Sequence, residues 1–314
     1  MLYLSFTQPR FDPDAVKALL DQLRSNMAFQ ENNPDTVFRR EITRTIHGNP
    51  RFHPLVPADL EKVNLDDALA FVRACLNPAD YTFVFIGNLD LPLLRSLTET
   101  YLASIPRAQA FNQWADADPQ RPSPTAKEIR KGMEERSVVY MGWFSPRPYS
   151  EEKAAAVSAL NEYLDIRLEE EIREELGGVY SISPWVSISP IPRGELSGGV
   201  YFICDPKRAE ELISATEAEF SKIAAGNIDD EIFKKAIEAL IKGQEQSVQN
   251  NQYLAQSYAN SAVIYHSPMS RLDKRPALYR AVSPADIKET QAELLKGSSV
   301  RLILYPEGEP QPSR

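Results

Sequence analysis

The residues whose types and spacing could do chemistry in this chain are an arginine and a tyrosine on either side of a glycine pair. They lie in residues 172–181, Ile-Arg-Glu-Glu-Leu-Gly-Gly-Val-Tyr-Ser. Arg173 offers planar donors to a peptide carbonyl or a carboxylate. Tyr180 can donate a hydrogen bond to an oxygen that gains negative charge. Because a helix end, a tight turn and a strand start can bring both side chains onto one surface, the spacing indicates a candidate substrate-binding and catalytic pair.

The same two residues also have a purely structural interpretation. An arginine in the last turn of a helix complements the helix dipole, and a tyrosine in a strand is usually half-buried packing. Spacing alone favours this structural interpretation, so a functional role for Arg173 and Tyr180 needs support from elsewhere in the chain.

The sequence contains no complete set of catalytic residues. Its only histidines are His47, His53 and His266, and none belongs to a His-Glu-x-x-His or His-x-x-Glu-His motif. His47 and His53 are predicted to lie in a surface loop. Cys75 and Cys204 form no Cys-x-x-Cys pair and are predicted to be unpaired core residues. The sequence therefore predicts that this chain by itself binds no metal and no other cofactor.

Composition and charge exclude several classes of protein. The net charge is −9, without a cluster of basic residues, which argues against binding to nucleic acid. The sequence has no apolar run of 18 residues, so it predicts no membrane span. With 43% hydrophobic and 25% charged residues, it has the composition of an ordinary globular chain.

The elements that must position the pair belong to a unit whose second half occurs twice. Residues 11–17 match residues 228–234, 217 residues later, and residues 63–68 match residues 282–287 with an offset of 219. Each of the latter two segments leads to an apolar strand, predicted at 82–86 and at 300–304. A self-match at nearly fixed spacing indicates a duplicated structural unit. Residues 125–226, which precede the second copy, have no counterpart before the first. We therefore predict the second half of a truncated domain over 1–105, a linker over 106–124, a complete domain over 125–305 and a tail over 306–314.

Periodicity predicts the elements of these two units. In the first, residues 1–7 are predicted to end a helix, Asp12 to cap a second helix and residues 34–46 to form a third. Helices at about 65–76 and 91–102 are predicted on either side of a strand at 81–87. The second unit is predicted as strand 137–144, helix 150–176, strands 179–188 and 196–204, four helices (207–225, 230–250, 252–265 and 284–296) and strand 299–305. This order predicts an α+β domain, a two-layer fold in which helices pack on one face of an antiparallel sheet.

The passage from the long helix through Arg173, Gly177 and Tyr180 resembles the C-terminal domains of the pitrilysin/insulinase family of zinc metallopeptidases, the inverzincins. The order of elements over about residues 1–305 is similar as well. The resemblance implies repeated α+β domains in two halves that enclose a peptide-cleaving chamber. It also implies zinc in the full-length protein, with ligands in the N-terminal half and a peptide as substrate.

The resemblance gives Arg173 and Tyr180 specific roles. Arg173 would orient the peptide backbone, and Tyr180 would stabilise the oxyanion, while this chain supplies no zinc ligands. It favours a periplasmic location, although a cytoplasmic one stays open. A second interpretation is a non-catalytic scaffold or peptide-binding member of the same family. A third is a generic α+β interaction domain in which Arg173 and Tyr180 point into separate environments.

Overall fold

The structure, a computed structural model, describes residues 1–10, 12–110, 115–268 and 270–308. Its helices are α1 Leu2–Thr7, α2 Pro13–Gln30, α3 Pro34–Ile46, α4 Pro57–Leu60, α5 Leu65–Cys75, α6 Leu91–Tyr101, α7 Glu151–Leu168, α8 Ala209–Ala225, α9 Asp230–Ser247, α10 Asn251–Val263, α11 Arg271–Ala281 and α12 Pro284–Leu295. Its strands are β1 Thr125–Arg130, β2 Ser137–Pro146, β3 Val179–Ser189, β4 Glu195–Cys204 and β5 Ser298–Tyr305.

Helix α2 begins at the polar residue that predicted its start. The Asp12 side chain accepts hydrogen bonds from the amides of Asp14 and Ala15 at the start of α2, and Pro13 takes the first helical position. These contacts satisfy amides that have no partner inside the helix. Helix α3 has the predicted bounds and is capped by Asn33. Phe11, where the first repeat begins, lies outside the described residues.

The five strands form one sheet in the order β1-β5-β2-β4-β3. The neighbours β5, β2, β4 and β3 pair antiparallel, whereas β1 pairs parallel with β5. The predicted α+β class is confirmed, but the prediction that every pair is antiparallel is wrong for this one. The sequence of β1, Thr-Ala-Lys-Glu-Ile-Arg, lacks a clear alternation because it forms an edge strand that is only partly buried.

Helices cover both faces of this sheet, not one. Alternate residues of β2, such as Met141 and Trp143, pack in a core with α7, α8 and α12. Val138 and Tyr140 face the other way and pack against Phe38 of α3. Since β2 is apolar on both faces, it needs a layer on each side. The sequence predicted helices on one face only, and the structure adds α3 on the opposite face.

The helix α11 was missed by the sequence analysis. It contains Pro276 in its interior, and an interior proline removes a hydrogen bond and usually ends a helix. The structure keeps the helix because its buried residues, Leu272 and Tyr279, hold it against the rest of its unit.

Two compact units divide the chain. One contains residues 1–32, 55–115 and 250–266, and the other contains residues 33–54, 116–249 and 267–314. The sheet belongs to the second unit. The predicted boundaries at 105, 124 and 305 stay predictions. Of the predicted linker, residues 111–114 lie outside the described residues, as do residues 309–314 of the predicted tail.

The first unit is mainly helical and buries few side chains. Its helices α1, α2, α5 and α6 contain no fully buried residue. The strand predicted at 81–87 is absent, because residues 81–86 pair with no other described segment. Phe85 instead lines an apolar cavity of about 430 Å³ together with Leu94, Leu97 and Tyr101. A strand exists only through its hydrogen-bonded neighbours, and the described part of this unit supplies none.

Candidate functional site

Arg173 lies in a π-helical segment, Glu169–Glu175, that continues α7. The amide of Leu176 donates to the carbonyl of Glu171, five residues earlier, at 3.3 Å. The Arg173 side chain is 48% exposed and forms an ion pair with Glu169. Short π-helical segments are rare and occur frequently at functional sites. The sequence predicted an ordinary α-helical end here, so the widened turn is a new observation.

Like charges lie at α-helical spacing in this segment. Glu170 and Glu174 are four residues apart, as are Glu171 and Glu175. In an α-helix such pairs lie next to each other and destabilise it. Opposite charges at the same spacing form ion pairs, between Arg167 and Glu171 and between Glu169 and Arg173. The segment that carries Arg173 therefore contains both repulsive and attractive charge pairs.

The two glycines after the segment form a left-handed turn. Gly177 has φ +64° and Gly178 has φ +78°, a region that glycine enters without steric cost. At Gly178 space is limited as well, because an added Cβ would lie 2.5 Å from Nη1 of Arg208. That Nη1 donates hydrogen bonds to the carbonyls of Leu176, at 3.0 Å, and Gly177, at 2.9 Å. The turn is therefore held from outside by an arginine side chain.

Tyr180 is the extra residue of a β-bulge at the start of β3. Val179 pairs with Cys204 and Ser181 pairs with Ile203, so Tyr180 has no residue opposite it. The residue is 62% exposed. Bulges redirect side chains and are over-represented next to active sites. The bulge turns Tyr180 into solvent instead of into the sheet packing that its strand position suggested.

The bulge also changes which residues of β3 face the helices. Val179 and Ile182 are both buried in the core with α7, although they are three residues apart. In a regular strand, residues three apart point to opposite faces. Tyr180 and Ser181 are therefore exposed side by side at the edge of the sheet.

Three departures from regular backbone thus occur within twelve residues: a π-helical segment, a left-handed turn and a bulge. Arg173 lies in the first and Tyr180 in the last. Irregular backbone of this kind is concentrated at functional sites. The arrangement presents a guanidinium and a phenol to solvent on either side of one restrained turn. Such groups can donate hydrogen bonds to the carbonyl oxygens of a bound peptide.

Arg208 is the residue of this site that the sequence analysis missed. It occupies the N-cap position of α8 without making a capping hydrogen bond. A cation at a helix N-terminus is unfavourable because it opposes the helix dipole. This unfavourable position was the feature of the sequence that could have indicated a special role for Arg208. The side chain turns away to the glycine turn and to Glu211, which accepts from Nε at 2.9 Å and from Nη2 at 2.7 Å.

The histidines do not form a metal site in the part of the chain that the structure describes. No group of three or more His, Cys, Asp or Glu side chains there could hold a metal ion. Nε2 of His53 lies 2.8 Å from the carbonyl of His47. The His47 ring stacks on Phe52 and lies beside Arg121, with 3.4 Å between Nδ1 and Nη1. Both histidines are half-buried, so the prediction of a surface loop is only partly right.

We expect the pH dependence of stability to report the position of His47. Burial, followed by the Arg121 charge, lowers the pKa of His47 from its ordinary 6.5. Below that pH the unfolded chain binds a proton that folded His47 takes up only at lower pH, so stability falls as pH decreases. The urea midpoint of His47→Gln should decline less between about pH 7 and about pH 5 than that of the wild type. An unchanged slope in His47→Gln would contradict the prediction.

The two cysteines lie in different environments. Both are free, but Cys204 is buried and Cys75 is exposed. Burial raises the pKa of Cys204 to about 12, which keeps the thiol protonated and unreactive. The prediction of two core cysteines is right for Cys204 and wrong for Cys75. Cys75 is exposed because α5, which it ends, buries no residue within its unit.

The sheet and the helices packed on it form an α+β domain. The family described as "Peptidase M16 inactive domain" matches residues 62–240, more than half of the chain, and the chain belongs to that family. The expected membership of this zinc metallopeptidase family is therefore confirmed.

Known relatives agree with this assignment. The chain is 27% identical over 255 residues to "Probable zinc protease PqqL" of Escherichia coli (strain K12), which covers 79% of the chain and 27% of the relative. It is 23% identical over 257 residues to "Zinc protease PQQL-like" of Arabidopsis thaliana, covering 76% of the chain and 27% of the relative. The chain thus spans about a quarter of the length of these relatives.

A solved structure shows the same fold. The crystal structure of the periplasmic protease PqqL from Escherichia coli superposes with a TM-score of 0.77 at 22% identity. The match covers 93% of this chain and 32% of that one. No helix in the described ranges is long and apolar enough to cross a membrane.

Proposed function

We propose that this chain is the C-terminal part of a zinc endopeptidase, in which it binds the peptide substrate and stabilises the oxyanion. The observation that carries the proposal is that Arg173 and Tyr180 are both exposed and that the backbone is irregular at each of them. The glycine turn between them is held by hydrogen bonds from Arg208. A purely structural arginine and tyrosine would not need a π-helical segment, a two-glycine turn and a bulge to bring them to the surface.

The chemistry assigned to each side chain follows from its donors. Arg173 presents a planar guanidinium that can hold a substrate carbonyl in a fixed orientation. Tyr180 presents a hydroxyl that can donate to the carbonyl oxygen as it becomes negatively charged. Because Tyr180 is outside the strand pairing, its ring can meet a substrate without disturbing the sheet.

The zinc of the proposed enzyme belongs outside this chain. The described residues offer no cluster of ligands that fits zinc, whereas the relatives that cover a longer sequence are named zinc proteases. We therefore assign the metal ligands to an N-terminal half that would be the partner of this chain. The described crystal structure of the relative is that of a periplasmic protease, which supports a periplasmic location here.

A non-catalytic scaffold or peptide-binding function is the second candidate. The family is described as an inactive domain, and a peptide-binding surface needs the same exposed donors as a catalytic one. The two candidates differ in what the full-length sequence contains. A His-x-x-Glu-His motif with a downstream glutamate in the full-length sequence would support the enzyme. A full-length sequence without this motif would support the scaffold.

The proposal is tested by the distribution of zinc and activity. We expect this chain alone to contain no stoichiometric zinc by elemental analysis and to leave a fluorogenic peptide uncleaved. The full-length protein should contain about one zinc per molecule and cleave the peptide. A double variant, His47→Ala with His53→Ala, serves as the control for adventitious binding. One tightly held zinc per isolated chain that survives this double substitution would contradict the proposal, as would a zinc-free, inactive full-length protein.

A further inference from the structure

The conformation of the glycine turn depends on a side chain from a distant part of the sequence. Arg208 uses Nη1 to bind the carbonyls of Leu176 and Gly177, and the backbone amide of Asp205 donates to the carbonyl of Gly178 at 3.2 Å. Three successive carbonyls at the end of the π-helical segment are thus satisfied by residues 205–208. A helix end carries unpaired carbonyls and partial negative charge, both of which a guanidinium matches.

The guanidinium itself is fixed by Glu211. The two Glu211 carboxylate oxygens accept from Nε and Nη2 of Arg208 in a bidentate pair, a geometry that only arginine can form. This pair leaves Nη1 pointing at the turn. In this orientation Arg208 donates to Glu211 of α8 on one side and to the carbonyls of the glycine turn on the other. Its side chain therefore connects α8 to the turn.

Two adjacent glycines are the most flexible dipeptide that a chain can contain. Without an external restraint, the turn at Gly177 and Gly178 would allow the residues on either side to take many relative orientations. Tyr180 follows two residues after this turn, and Arg173 precedes it by four. A displacement of about 1 Å at a reacting group can lower a rate about 10²-fold.

We infer that Arg208 is a positioning residue, which holds the glycine turn so that Tyr180 and Arg173 meet the substrate in one fixed arrangement. This inference rests on the proposed function of the pair. It adds a residue that contacts neither the substrate nor the reacting atoms and acts through the backbone of the turn.

The experiment measures kcat and KM of the full-length protein with Arg208→Gln, Tyr180→Phe and the double variant. Arg208→Gln should lower kcat about 10-fold to 10²-fold with a smaller change in KM. Arg208→Lys should recover only part of kcat, because an ammonium has three N–H donors whereas Arg208 makes four hydrogen bonds to Glu211 and the two carbonyls. Arg193→Gln, which removes a guanidinium that pairs with Asp116, is the matched control and should keep the wild-type kcat.

The double variant separates positioning from an independent effect. If Arg208 acts through Tyr180, adding Arg208→Gln to Tyr180→Phe should cost much less than it does in the wild type. Losses that multiply in full would overturn the inference, and so would a normal kcat in Arg208→Gln when Tyr180→Phe is impaired. Normal cleavage by Tyr180→Phe would instead overturn the proposed function of the pair.

Hydrogen exchange of this chain gives a readout without activity. In Arg208→Gln, the amides of residues 176–181 should exchange faster while those of β2 and β4 keep their protection. If Arg208→Gln fails to fold, Glu211→Gln decides the question, because it loosens the guanidinium without removing it. It should show the same local increase and a partial loss of kcat, and unchanged exchange at 176–181 would overturn the inference.

Discussion

Replacing Tyr180 by phenylalanine should lower the kcat of the proposed full-length peptidase about 10²-fold to 10³-fold, with a smaller change in KM. The substitution removes one hydroxyl and keeps the ring. A donor aimed at a developing oxyanion contributes more to the transition state than to substrate binding, so its loss appears in kcat. The measurement is steady-state cleavage of a fluorogenic peptide.

The fold should tolerate this change, because Tyr180 is 62% exposed and lies outside the strand pairing. The urea midpoint of Tyr180→Phe should therefore equal that of the wild type. Tyr201→Phe makes the same substitution on β4 of the same sheet and should leave cleavage unchanged. Cleavage at nearly the wild-type rate by Tyr180→Phe would mean that the phenol has no catalytic role, even though the family assignment would stand.

Much of the second unit could be predicted from local patterns. The strands β2, β3 and β4 and the start of α7 follow from apolar runs and from Ser150, which caps the helix. The glycine pair correctly marks the end of the helical stretch, and both glycines have positive φ. These features depend on residues close together in the sequence, so periodicity and turn chemistry are enough to find them.

The features that shape the candidate site could not be predicted in this way. The bulge at Tyr180 depends on the register between β3 and β4, which forms across about twenty residues of sequence. The contact from Arg208 to Leu176 joins residues 32 positions apart. A pattern read along the chain gave the identities of Arg173 and Tyr180 but not the geometry of the backbone that presents them.

In the first unit, a strand-like local sequence predicted a strand that the structure does not form. Residues 81–86 are a run of aromatic and β-branched residues, which predicted a strand. The sequence repeat matches them to β5, which lies between β1 and β2. In the described part of the first unit they pair with nothing, and Phe85 is 40% exposed. The prediction of a strand is wrong here despite the strand-like local sequence, because secondary structure in a sheet depends on neighbouring strands. The repeat that motivated this comparison stays a prediction.

Replacing Arg173 by alanine should raise KM and lower kcat together, with a combined loss of about 10-fold to 10²-fold in kcat/KM. A hydrogen bond from a charged donor contributes about 1.5–3 kcal/mol, and a group that orients the peptide acts in both the bound and the transition state. Arg173→Lys should retain part of the binding because it keeps the charge but not the planar pair of donors. Steady-state kinetics with the same peptide measure both constants.

The ion pair between Arg173 and Glu169 supplies the matched control. Both side chains are partly exposed, and such i,i+4 pairs contribute only about 0.3–0.5 kcal/mol to stability. Glu169→Gln removes the same ion pair while leaving the guanidinium available to substrate. We therefore expect Glu169→Gln to match Arg173→Ala in urea midpoint but to keep kcat/KM near the wild-type value. Equal kinetic losses in both variants would mean that the ion pair, and not the substrate contact, is what Arg173 provides.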